Sequence, residues 1–252
     1  MMATTREITR LLSGTTIPGP LIEGLVSTAS PLWLMSAPAA ILAKDLVLCY
    51  PPLDGDEVRA VAQTLEDGLV RLTVVARDRH GFLANTAAVL AAEAVSVVSA
   101  SVVTWTAPEV ALHALTVRAG HLTMSRWDEL GARLRSVAAG EDMSVDFTPT
   151  GRPHITCSPA TDDRRLLSVT ADDQVGLLWA ISRSLADHGV SIESAHIDEA
   201  GGRAIDRFVV VGEPDVGELR ARLTTPSRHT IGGLAAGAAR LPWRVARGVL
   251  GR

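Results

Sequence analysis

An internal repeat constrains this chain more than any other feature. Residues 72–101 read LTVVARDRHGFLANTAAVLAAEAVSVVSAS and residues 167–196 read LSVTADDQVGLLWAISRSLADHGVSIESAH, aligned without a gap at an offset of 95. Leu72/Leu167, Val74/Val169, Asp78/Asp173, Gly81/Gly176, Leu83/Leu178, Leu90/Leu185, Ser99/Ser194 and Ala100/Ala195 are identical pairs. Two apolar stretches can share several leucines by chance. They rarely also keep an Asp-x-x-Gly turn in register with both flanking elements, so the chain reads as two related units.

Both copies follow one physical grammar. A β-rich run (72–75; 166–170) leads into the polar turn Asp78-Arg79-His80-Gly81 or Asp173-Gln174-Val175-Gly176. Glycine at the end of that turn allows backbone dihedrals closed to other residues. Apolar residues then recur at helical spacing: Leu83, Ala87, Leu90 and Ala91 in one copy, Leu178, Ile181 and Leu185 in the other. Gly189 supplies a helix stop in the second. A strand follows (95–104; 190–198), then a tight turn at Ala107-Pro108 or Ala200-Gly201-Gly202. The returning strand carries Leu112, Ala114, Leu115 and Val117 in copy one, and Ile205, Phe208 and Val210 in copy two. The second hairpin is two residues shorter, which sets His113 opposite Asp206. After copy one, 124–138 suits a helix with Trp127, Leu130 and Leu134 on one face, and 143–147 alternates as a closing strand.

The predicted order is β-α-β-β-α-β, the ferredoxin-like plan, in an α+β protein. Copy two ends near Leu223 without an evident closing strand. Its sheet edge would then be open to another chain. The division expected is an N-terminal helical segment over 1–66, modules over 67–150 and 151–225, and a tail over 226–252.

Composition narrows the function classes. Hydrophobic residues at 47% and charged residues at 21% are enough for a packed core. Aromatics at 4% are too few for stacking platforms, and a formal charge of −4 provides no attraction to nucleic acid. Cys49 and Cys157 form neither a CxxC nor a Cys/His cluster, so no disulfide framework, metal or cofactor is expected, and the compartment expected is the cytoplasm. The apolar window 21–43 is broken by Glu23, Pro31 and Pro38, which favours buried helices and turns over a membrane span. In the tail, Arg228, Arg240, Arg244, Arg247 and Arg252 occur without an acidic residue. Such a tail either meets a membrane surface or acidic partner, or docks on its own chain.

The DRHGFL and DDQVGLL turns, with VSVVSAS and VSIESAH after the helices, resemble the ACT domain. The tandem pair is similar to the C-terminal half of bacterial uridylyltransferases that modify the nitrogen-regulatory PII protein. MSAPAAILAKDLVLCYPPLDG resembles the stretch ahead of the first ACT module there. The family's catalytic part needs a Gly-rich turn with paired aspartates, and its hydrolase part a His-Asp dipeptide. Neither occurs before residue 70, and His-Asp occurs nowhere, so a regulatory chain is expected rather than an enzyme.

The resemblance implies a small effector, usually an amino acid, at the strand–helix turn, and self-association or a partner protein. A helix N-terminus suits an α-carboxylate, and Asp78 or Asp173 suits an α-ammonium. Expected ligand-binding residues are Asp78, Arg79, His80, Gly81, Phe82, Leu83 and Ser96, with Asp173, Gln174, Val175, Gly176, Leu177, Leu178 and Ser191. Each has a plainer alternative. The aspartates would cap the turn, the glycines would serve only the backbone, Ser96 and Ser191 would merely begin strands, and Phe82 would be core. His80 and Val175 stand where the family often has proline, and other readings are an oligomerisation scaffold or a subunit of a nucleotidyltransferase.

Overall fold

The computed structural model describes residues 5–161 and 163–226. Four short helices come first: α1 (Thr5–Leu12), α2 (Gly19–Ser27), α3 (Pro31–Leu34) and α4 (Ala39–Val47). The first module comprises β1 (Val58–Thr64), β2 (Leu69–Arg77), α5 (Phe82–Ala92), β3 (Ser96–Trp105), β4 (Val110–Arg118) and α6 (Met124–Ala138). The second repeats it with β5 (His154–Pro159), β6 (Arg164–Asp172), α7 (Leu177–Asp187), β7 (Ser191–Ala200), β8 (Arg203–Val211) and α8 (Val216–Arg222). The eight strands form one antiparallel sheet in the order β1-β2-β4-β3-β7-β8-β6-β5.

The α+β class and the two ferredoxin-like modules stand as read; the source of each edge strand does not. The order is β-β-α-β-β-α, because β1 and β5 precede the strands they flank. The stretch predicted to close the first sheet, 143–147, is irregular apart from a bridge at Phe147. It buries Val145 and Phe147 in the helical layer instead, which satisfies its alternating apolar pattern without a strand. The second module's edge is completed within the chain by β5, so no outside strand is required there. The first module's sheet accordingly begins at Val58, ahead of the expected start at 67.

Repeat symmetry organises the join. β3 and β7 pair antiparallel through Ala100↔Ile197, Ser101↔His196, Val102↔Ala195 and Val103↔Ser194. Ser101 and His196 are themselves repeat equivalents, so a pseudo-twofold passes between them. Even the bulges correspond: β3 slips between Val97 and Ser99, and β7 between Ile192 and Ser194.

Helices α5 to α8 cover one face, with α5 packed on both α6 and α7. Residues 82–90 of α5 are all buried, because neighbours surround the helix on every side. The opposite face of the first module is covered by the N-terminal helices through Val75, Val103, Trp105, Leu112 and Ala114. Trp33 meets Trp105 edge to face at 5.7 Å, and the Trp105 Nε1 donates to the Leu25 carbonyl at 2.9 Å. Buried Asp45 on α4 accepts from Arg71 and Thr73 on β2. Ser30 donates to Ser194 on β7 at 2.8 Å, so this layer touches both modules. On the second module's outer face Leu166, Ile205, Val209 and Val211 remain half-buried. Cys49 and Cys157 are free thiols, and no described helix is long and apolar enough to cross a membrane. The Arg-containing tail beyond residue 226 lies outside the described residues, as does any expectation about it.

Candidate ligand-binding site

Each strand–helix turn ends on a left-handed glycine, Gly81 at φ 77° and Gly176 at φ 89°, which forms the helix N-cap. A side chain at either position would be strained. The Asp78 and Asp173 backbone N–H groups donate to the Glu109 and Gly202 carbonyls of the neighbouring hairpins. Their carboxyls draw on the next residue's backbone N–H instead of capping the helix. Phe82 N–H bonds back to the Arg79 carbonyl, and Asn85 N–H opens the helical ladder to Gly81. The amides of Leu83 and Ala84 lie between these two, in the turn where a helix offers unspent donors.

The pseudo-twofold brings each turn against the other module. The first turn opens into a cleft of about 590 Å³. Asp78, Arg79, His80, Gly81, Phe82 and Leu83 line it from the first module, and Ser182, Ala186, Val190, Ser191 and Ile192 from the second. Thr28, the C-cap of α2, joins the rim, so three parts of the molecule meet there. The second turn faces a cavity of only about 20 Å³. Asp173 to Leu178 line it, opposite Ala87, Ala91, Val95 and Val97 of the first module. The two linings correspond by the repeat, yet their volumes differ. Trp179 stands where the first module has Ala84, and its buried indole takes up room that the alanine leaves open. Phe147 packs beside Gly176 of the same turn, 3.4 Å from where a Cβ would project.

The predicted residues are thus partly united and partly divided. Ser191 joins the turn of the other module, and Ser96 lines neither cavity. Arg79 is engaged with Asp56 and the Ala139 carbonyl, so its guanidinium ties the turn to the end of α6. His80 places Nε2 2.7 Å from the Ala186 carbonyl across the module boundary. Asp78 has its pKa raised by burial, against the backbone bond from Arg79 and the nearby His80. Asp173 is raised by burial and then by Glu199.

Two floor residues were not assigned from the sequence. His113 is 2% exposed, lies between Val74 and Val102 in the sheet, and stacks on Phe82 at 4.5 Å. Burial pushes its pKa down to about 3. Asp206, at the matching position beside Val169, is 1% exposed and lines the second cavity. Burial, then the Asp173 charge, push it up to about 8. Their alignment across the hairpin was the available signal. No group of three or more His, Cys, Asp or Glu suited to a metal occurs among the described residues.

Each ferredoxin-like module thus presents a glycine-ended turn to a cavity at the interface between the two. The ACT domain family matches residues 165–225. The bifunctional uridylyltransferase/uridylyl-removing enzyme of Cupriavidus pinatubonensis is 40% identical over 91 residues, covering 33% of this chain and 10% of that protein. The enzyme so named in Azospirillum brasilense is 26% identical over 201 residues, covering 71% of this chain and 21% of its own length. The chain therefore spans about a fifth of that relative or less of the others it matches. Among solved structures, aspartate kinase from Synechocystis aligns with a TM-score of 0.39 at 19% identity, over 63% of this chain and 26% of that one.

Proposed function

We propose that the chain is a regulatory sensor that holds one small effector, an amino acid, in the open cleft of the first module. The carrying observation is the 590 Å³ cleft at the N-terminus of α5, within the size range of small-molecule sites. An α-carboxylate would accept from the free first-turn amides of α5, and Asp78 would accept from the α-ammonium. The ligand would bridge the two modules and the end of α2, favouring one arrangement of the three and so altering a partner's activity. Similarity to the uridylyl-transferring enzymes supports a setting in nitrogen or amino-acid metabolism, in the cytoplasm, with no catalytic step assigned to the chain.

Calorimetry against the twenty amino acids tests this. Millimolar or tighter binding at one site per chain is expected, weakened about tenfold or more by Asp78→Ala, roughly 1.4 kcal/mol, and little changed by Asp173→Ala. Absence of heat with every amino acid at millimolar concentration counts against the reading. The narrow second cavity and the use of His80 across the boundary favour a second reading, a ligand-independent scaffold. Sedimentation showing one oligomer irrespective of amino acids would support it, and a monomer would oppose it.

A further inference from the structure

A groove of about 270 Å³ runs between α4 and the strands β1 and β2, and shares no residue with the cleft at α5. Ile41 and Leu48 of α4 and Val61 of β1 give it apolar walls. Asp45 is the one acid in the lining, and both its oxygens are spent. Arg71 Nη2 donates to Oδ2, and Thr73 Oγ1 donates to Oδ1 at 3.0 Å. Arg71 makes no other bond, and although its side chain is only 16% exposed, its Nε and Nη1 stay accessible. Lys44, the only lysine in the sequence, is exposed on the same groove and forms no ion pair. Asp45 and Arg71 cancel in charge, which leaves Lys44 as a surplus cation beside unspent guanidinium donors. Fixing α4 to β2 accounts for Asp45, Arg71 and Thr73. It accounts neither for Lys44 nor for the open space between the helix and the strands.

We propose that this groove is a second binding site, taking a small organic monoanion with an apolar body, of the class of the short-chain carboxylates. The acid group accepts from Lys44 Nζ and from the free donors of Arg71, as charge-assisted bonds in a partly desolvated setting. The alkyl part lies along Ile41, Leu48 and Val61. One negative charge matches the one surplus cation, whereas a second would stand uncompensated beside the Asp45 carboxylate. An occupant touches the N-terminal layer on one side and the sheet of the first module on the other, so it clamps the two together. By mass action it also stabilises the folded chain. Nothing in this depends on amino-acid binding at α5.

The test uses the full chain and three probes at equal concentration and ionic strength: hexanoate, acetate and hexylammonium. Reductive methylation with isotope-labelled formaldehyde keeps the Lys44 charge and gives the sole lysine its own methyl NMR signal, apart from that of the chain's amino terminus. Hexanoate is expected to move that signal saturably at millimolar concentration and to raise the melting temperature of the unmodified chain. Acetate, without the apolar body, and hexylammonium, without the negative charge, are expected to do neither. Lys44→Gln alters an exposed, unpaired side chain, so it is expected to melt like the native chain without probe and to bind hexanoate about tenfold more weakly. Arg71→Lys keeps a cation for Asp45 but removes the planar donors, and is expected to weaken the response of the Lys44 signal, which moves apart from that of the new lysine. Equal responses to hexanoate and hexylammonium, hexanoate stabilisation undiminished in Lys44→Gln, or no saturable response to hexanoate overturns the assignment.

Discussion

At the scale of single residues, the two buried floor groups act on stability in opposite directions over overlapping pH windows. Asp206 has its pKa raised from 3.8 to about 8. Between those values the unfolded chain releases a proton that the folded chain keeps, so stability falls as pH rises through that window and levels off above it. His113 is lowered from 6.5 to about 3. Below 6.5 the unfolded chain gains a proton that the folded chain refuses, so stability falls as pH drops toward 3. Each effect is on the order of a few kcal/mol at full extent. Urea melts across pH 3.5 to 8.5 are expected to show Asp206→Asn flattening the loss toward high pH and His113→Phe flattening the loss toward low pH. Variants whose profiles parallel the native one would mean that neither group is held as placed.

At the scale of elements, the repeat made most of the fold legible, and the packing between copies decided the rest. The helix predicted over 124–138 coincides with α6, and Trp127, Leu130 and Leu134 are buried as expected. Both Asp-x-x-Gly turns enter helices at the expected glycines. What pattern alone left hidden was partnership. Alternation at Val145 and Phe147 marks burial equally well in a strand or in a strap across helices, and the structure has the strap. Ser191 looked like a companion of its own turn until the pseudo-twofold delivered it to the other. The Ala84/Trp179 mismatch was visible in the alignment, but its meaning depended on both positions facing a cavity. Trp179→Ala is expected to widen the second cavity and raise amino-acid stoichiometry from one to two, at a cost of about 3–5 kcal/mol in stability. Unaltered stoichiometry in a folded variant would show that the indole is not what closes the site.

At the scale of the whole molecule, one sheet has two unlike faces, and the N-terminal layer belongs to the fold as fully as the modules do. Trp33 of α3, fully buried against Trp105, anchors that layer. Trp33→Ala is expected to destabilise the chain by about 3–5 kcal/mol and to expose apolar sheet surface, read as a lower melting temperature with increased binding of a hydrophobic dye. A variant that melts like the native chain would mean that the layer rests only loosely on the sheet. The edge strands carry a different consequence, one for folding during synthesis. β1 pairs with β2 across residues 65–68, and β5 with β6 across 160–163. These are short-range contacts, with a small loop-closure entropy. A hairpin closes in microseconds, while the ribosome adds roughly 5–20 residues each second. Each module's outer edge can therefore be paired before the helix behind it has emerged, without waiting for a strand from the module's far end.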